Sequence, residues 1–212
     1  MIKSQGTWKS EPLTHVKHAL MAMAFNPQDI NTIIGTNIMK CWTLVNRPFQ
    51  DEYPAGREWN RNAAQFRYKP TEDTDNLSHP TWTSILDHVG ASLDKPVREN
   101  AWCVQNCIQT GGDYLKCWIA SMFQHPLEPL PYLFLFGDPN AGKSVLHEAI
   151  SLLVTHGVVR ADQALTSTFN GELANAILCV IEEVDLRKNK QAYNKMKDWV
   201  TARQLSIRAL YE

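Results

Sequence analysis

The run Gly137-Asp138-Pro139-Asn140-Ala141-Gly142-Lys143-Ser144 has the spacing G-x-x-x-x-G-K-[ST], and each fixed position has a chemical reason. Glycines let the backbone curl so that successive N–H groups point inward and cradle phosphate. A Lys in the seventh place reaches the β- and γ-phosphates of a nucleoside triphosphate, and a Ser hydroxyl in the eighth joins the shell of Mg²⁺. A helix that starts at this point adds the positive end of its dipole. Nucleotide contact is therefore assigned to Gly137, Asp138, Pro139, Asn140, Ala141, Gly142, Lys143, Ser144 and Val145. Lys143 carries the charge that acts on the phosphates, and Ser144 is a metal ligand. The expected ligands are ATP and Mg²⁺.

Hydrolysis needs carboxylates at the same place. The apolar run 176–181 ends in Glu182 and Glu183. A strand tip there delivers both acids to the loop, Glu182 to hold the metal and Glu183 to orient and activate the attacking water. Asp185 is the rival for the second role. His147 stands one turn beyond Ser144, either near nucleotide or on a helix surface.

The loop needs a strand before it and a helix after it. Residues 132–136 are all apolar, the texture of a buried parallel strand. Val145, Leu146, Ala149, Ile150 and Leu153 recur at helical spacing, with Gly157 placed to end the helix. Val158 and Val159 read as a short strand, 176–181 as a second buried strand and 190–201 as a helix with Ala192, Met196, Trp199 and Val200 inward. Leu205 and Ile207 alternate with polar residues, as in a strand. This order of strand, loop, helix, strand and helix predicts an α/β sheet.

Upstream, the texture is mainly helical. Leu13, Val16, Leu20 and Met23 or Ala24 form one stripe, broken at Asn26-Pro27, and a second apolar segment runs over 30–45. Pro48, Pro54, Pro70 and Pro80 mark an irregular stretch over about 47–81. Trp82, Ile85, Leu86 and Val89 form a stripe closed by Gly90, Gly111-Gly112 splits two further helices, and His125-Pro126 ends the last. Trp42, Trp82, Trp102 and Trp118 read as core. The expected division is a mainly helical region over 1–128 and a phosphate-binding core over 129–212.

A net charge of -1 excludes a globally basic nucleic-acid binder. There is no apolar run long enough for a membrane span, and the first ten residues lack the pattern of a signal peptide. Five scattered cysteines argue against a disulfide framework, so the expected place is the cytoplasm. Two basic stretches stand out. Arg57, Arg61, Arg67 and Lys69 interleave with Trp59, Phe66 and Tyr68, which suits single-strand binding or a packed surface loop. Arg187, Lys188, Lys190, Lys195 and Lys197 suit a nucleic-acid channel or a solvated helix face.

Three segments carry a family resemblance: PYLFLFGDPNAGKS at 131–144, FNGELANAILCVIEEVD at 169–185 and NKMKDWVTARQLSIRALYE at 194–212. They resemble superfamily 3 helicases, and more closely the helicase module of phage primase-polymerases and of the poxvirus primase-helicase. Lys197-Asp198-Trp199-Val200-Thr201 resembles the motif after the acidic strand, with Ala202-Arg203 where the family often has Gly-Asp. The resemblance implies an AAA+-like P-loop NTPase core that hydrolyses ATP to move on single-stranded DNA. It also implies a hexameric ring, with a primase or polymerase domain on the same chain. For a phage protein, the place is the cytoplasm of the bacterial host. In the family, the DNA-contacting hairpin, the γ-phosphate sensor and the arginine finger follow the segment that ends here at Glu212. The resemblance thus implies a core truncated at its C-terminus and inactive as an ATPase by itself. The alternative from another class is a nucleotide-binding oligomerisation or DNA-binding module without turnover.

Overall fold

A computed structural model describes residues 2–4, 7–9, 11–38, 42–69, 78–182, 184–202 and 205–208. The chain divides into two compact units, Met1–Ala63 and Ala64–Glu212. No helix among the described residues is long and apolar enough to cross a membrane.

In the first unit, β1 (Ile2–Ser4) and β2 (Thr7–Lys9) pair antiparallel. They precede α1 (Leu13–Ala22) and α2 (Pro27–Ile33), the latter continued by a π-helical turn over Ile34–Ile38. The Asn26-Pro27 break is also the start of α2. Asn26 Oδ1 accepts the N–H of Asp29 at 2.8 Å, and Pro27 fills the first helical position, where no N–H is needed. Short parallel strands β3 (Thr43–Leu44) and β4 (Glu58–Trp59) bracket part of the Pro-punctuated stretch. The loop between them is ordered by buried Asn60. Its Nδ2 donates to the carbonyls of Arg47, Gln50 and Asp51, and its Oδ1 accepts the N–H of Arg47. Trp42, expected in the core, is exposed and meets Tyr53 edge-on at 5.6 Å.

The second unit begins with four helices, α3 (Pro80–Gly90), α4 (Asp94–Glu99), α5 (Ala101–Gln105) and α6 (Gly111–Gln124). Gly111-Gly112 opens α6 through a capping box. Thr110 Oγ1 accepts the N–H of Asp113, and the Asp113 carboxylate accepts the N–H of Thr110. The same glycines allow α6 to cross α3 at contact distance, since a Cβ on Gly111 would land inside the carbonyl of Gly90. Beyond α6 come α7 (Val145–Leu153), β5 (Val158–Arg160), α8 (Asp162–Thr166), β6 (Leu178–Val180) and α9 (Lys190–Thr201). Strands β5 and β6 are parallel, with Arg160 opposite Val180.

The core joins the helices to the loop region. Trp118, Ile119 and Met122 of α6 are buried with Leu146 and Ile150 of α7, and Trp82, Ile85, Leu86 and Val89 of α3 pack against them. Full burial of each such side chain contributes about 1.5–3 kcal/mol, which makes α3, α6 and α7 one body. The boundary expected between 128 and 129 therefore falls inside this unit. A second cluster, Ala161, Ala164 and Leu173, packs under Trp199 of α9.

Three expectations need correction. Residues 132–136 form no strand: Leu133 turns toward the core, but Phe134 and Phe136 are 78% and 84% exposed. A strand exists through its ladder, and among the described residues no strand pairs with this run. Leu205 and Ile207 are not in a strand either. That segment is held by buried Asn170, whose Oδ1 accepts the N–H of Arg208 and whose Nδ2 donates to the Ser206 carbonyl. Trp102 and Val200, expected inward, are exposed because α5 and the end of α9 turn those faces outward.

The α3–α6 crossing yields a prediction. Gly111→Ala forces backbone apart at a contact with no side-chain slack, and overpacking of this kind costs about 1–3 kcal/mol. Urea denaturation should show a lower midpoint for the variant. An unchanged midpoint would mean that the close helix crossing does not exist.

Candidate functional site

The loop over residues 137–144 is suspended between two anchors on α6. At its upstream end, the indole Nε1–H of Trp118 donates to the Pro131 carbonyl at 2.8 Å. At its downstream end, Leu146 and Ile150 seat α7 against Trp118, Ile119 and Met122. Between the anchors the backbone bends through left-handed positions at Gly137 (φ 154°), Asn140 (φ 62°) and Gly142 (φ 78°). Glycine takes such angles freely, and Asn is among the few other residues that tolerate them. The N–H of Ala141 returns to the Asp138 carbonyl, and that of Val145 to the Gly142 carbonyl. Lys143 Nζ donates to the carbonyls of Gly137 and Asp138 at 2.9 and 2.6 Å, so its ammonium lies across the loop.

Ser144 and Glu182, assigned from sequence to the same ion, meet in space. Ser144 Oγ donates to Glu182 Oε1 at 2.9 Å. Adjacent ligands of an octahedral Mg²⁺, with metal–oxygen distances of 2.0–2.1 Å, stand roughly 3 Å apart. The two oxygens are hard donors at that separation, so they fit two neighbouring positions around such an ion. No cluster of three or more His, Cys, Asp or Glu among the described residues could hold a metal.

Three further side chains gather on Glu182. His147 Nε2 is 3.6 Å from Oε1, and the side chain is partly buried. The Arg160 guanidinium lies 3.2 Å from Oε2, and its Nε is 3.5 Å from Asp162 Oδ2. Asp162 Oδ1 accepts the N–H of Glu182 at 2.9 Å and so ties the tip of β6 to the start of α8. A fourth group approaches the loop from α3, where His88 Nε2 is 3.0 Å from the Ala141 carbonyl.

Arg160, Asp162 and His88 were not singled out from sequence. Arg160 and Asp162 follow directly on the Val158-Val159 strand, and the pairing of that strand with the acidic one is the signal that would have found them. Nothing local in the sequence marks His88. Asp185 is drawn into its own turn: Oδ1 accepts the N–H of Arg187, and Oδ2 is 3.5 Å from Lys188 Nζ. Glu183 lies outside the described residues.

Both basic stretches are largely exposed, and a few of their residues are engaged in contacts. Trp59 donates to Glu52, and Arg61 lies over the Trp59 ring at 5.6 Å. Phe66 meets Phe123 edge-on at 5.2 Å, and Arg67 Nε donates to the Val154 carbonyl at 2.7 Å. Lys195 turns inward to the carbonyls of Ala164 and Ser167, whereas Lys197 stays outside over the ring of Tyr193 at 5.6 Å.

No curated protein and no solved structure matches the chain. Residues 135–212, which span the loop over 137–144, α7, the β5–β6 pair and α9, are similar to a protein family described as a family of unknown function (DUF5906).

Proposed function

We propose that the chain is the ATP-binding and ATP-hydrolysing core of a superfamily 3 type DNA helicase. It would act as one subunit of a hexameric ring that spends ATP to move along single-stranded DNA. The observation that carries the nucleotide part is the hydrogen bond from Ser144 to Glu182. It joins two residues 38 positions apart at a separation that suits neighbouring Mg²⁺ ligands. The helicase part rests on the resemblance carried by 131–144, 169–185 and 194–212.

In this reading the loop N–H groups and the N-terminus of α7 hold the triphosphate. Lys143 exchanges two neutral carbonyl acceptors for anionic phosphate oxygens, and charge-assisted hydrogen bonds are roughly twice as strong as neutral ones. Mg²⁺, when bound, neutralises charge on the phosphate oxygens, with Ser144 and Glu182 as its protein ligands. Glu183 takes the water proton. An arginine from the neighbouring subunit stabilises the transferring phosphoryl group, an effect worth about 10³–10⁵ in rate.

Two predictions follow from these roles. Lys143→Ala removes a charge-assisted contact worth about 1.5–3 kcal/mol. Calorimetry should show ATP affinity reduced at least tenfold with an unchanged melting temperature, and equal affinities would exclude a phosphate-binding loop. Glu182→Gln and Glu183→Gln should separate. The first makes ATP affinity in Mg²⁺ fall toward its value in EDTA, while the second keeps Mg²⁺-dependent binding and abolishes hydrolysis by the assembled ring. Wild-type turnover in Glu183→Gln would move the base assignment elsewhere.

A further inference from the structure

We infer that Arg160 is a positioning residue for Glu182, and that it sets how tightly a divalent cation is held at the phosphate loop. The inference rests on the nucleotide reading above and adds to it a residue outside the phosphate-loop motif and its acidic pair. Arg160 ends β5, opposite Val180 of β6, and Glu182 lies two residues further along the same chain direction. Successive side chains alternate faces in an extended chain, so Val180 and Glu182 share a face. The guanidinium can therefore span the two parallel strand ends.

The contacts divide the Glu182 carboxylate into two functions. Oε2 faces the Arg160 guanidinium at 3.2 Å. Oε1 faces Ser144 Oγ at 2.9 Å, the pair that fits adjacent metal positions. Arg160 thus occupies the oxygen that the cation does not need and leaves Oε1 to Ser144, with His147 Nε2 3.6 Å away. Asp162 completes the bracket. It accepts the Glu182 backbone N–H at 2.9 Å, and its second oxygen stands 3.5 Å from Arg160 Nε. Head group and backbone of Glu182 are fixed together by one Arg–Asp pair.

Magnitudes separate a positioning role from a structural one. The Arg160 side chain is 55% exposed, and an ion pair that open to solvent adds little net stability. The β5–β6 pairing is a backbone ladder and does not depend on the Arg160 side chain. Partners that orient a ligating carboxylate behave differently, and their removal typically costs about 10–100-fold in metal affinity. Loss of Arg160 should therefore leave the fold intact and change the cation requirement.

A rival role gives the opposite sign. If the guanidinium stood in for the cation, its removal would tighten cation binding. If it gripped phosphate directly, its removal would weaken ATP binding even without a divalent ion.

The test titrates Mg²⁺ against wild type, Arg160→Ala, Arg160→Gln and Arg160→Lys at fixed ATP, and reads the calorimetric binding signal. Parallel ATP titrations in EDTA and thermal melts accompany it. The expected result is a Mg²⁺ midpoint raised about 10–100-fold in Arg160→Ala and Arg160→Gln, with partial recovery in Arg160→Lys. ATP affinity in EDTA and the melting temperature should be unchanged. A midpoint that is unchanged or lowered in Arg160→Ala and Arg160→Gln overturns the proposal, and so does an equal loss of ATP affinity in EDTA. An absence of ATP binding by the wild type under every condition removes the phosphate-loop reading itself, and the proposal with it.

Discussion

The arrangement of the loop over 137–144 depends on where α6 holds the start of α7. Leu146 and Ile150 are buried against Trp118, Ile119 and Met122, and the Trp118 indole also pins the carbonyl of Pro131. One helix thereby fixes both ends of the loop. The distance the loop must span, the direction of the α7 dipole and the position of Ser144 follow from that packing. The glycine crossing of α3 and α6 lies beneath the same arrangement, because it brings α3 close enough for His88 to touch the loop at Ala141. The helices upstream of the loop thus act as its mount.

The acidic side of the site is assembled by the parallel pair β5–β6, whose Val158 and Leu178 pack on the same core. That register puts Arg160 at the strand end opposite Val180, with Glu182 just beyond, and Asp162 stitches the backbone of Glu182 to the start of α8. A carboxylate drawn partly out of water needs compensating donors. Glu182 has the Ser144 hydroxyl and the Arg160 guanidinium, with His147 nearby. A helix start and a strand end therefore meet at the hydrogen bond from Ser144 to Glu182, above a core that α7 shares with Val158 and Leu178 of the strands. That junction links the packing of the core to the chemistry proposed for the site.

How much of this was legible in the sequence depended on the range of the interaction. The helix over 190–201 was readable from apolar spacing, and the helix after Ser144 was readable from its stripe. The association of Ser144 with Glu182 was legible because a motif and an acidic strand tip each have a stereotyped geometry. Residues 132–136 misled because an apolar run specifies burial only if a partner strand lies alongside, and periodicity says nothing about partners. Gly111-Gly112 read as a break when it is a helix start and a crossing point, since the close approach of Gly90 is a tertiary fact. Trp102 misled for the related reason that helical spacing does not say which face a short helix turns inward, and Trp42 because it lies on no helix, just ahead of β3. Arg160 and Asp162 were invisible until β5 was paired with β6.

The most direct measurement is the position of the cation itself. Crystals of the chain grown with Mn²⁺ and a non-hydrolysable ATP analogue would locate the ion by its anomalous scattering. The account predicts one Mn²⁺ bound jointly by Ser144 Oγ, a Glu182 carboxylate oxygen and phosphate oxygens of the analogue, with the triphosphate in the loop of residues 137–144. Nucleotide bound elsewhere on the chain, or an ion in the loop that touches neither Ser144 nor Glu182, would contradict it.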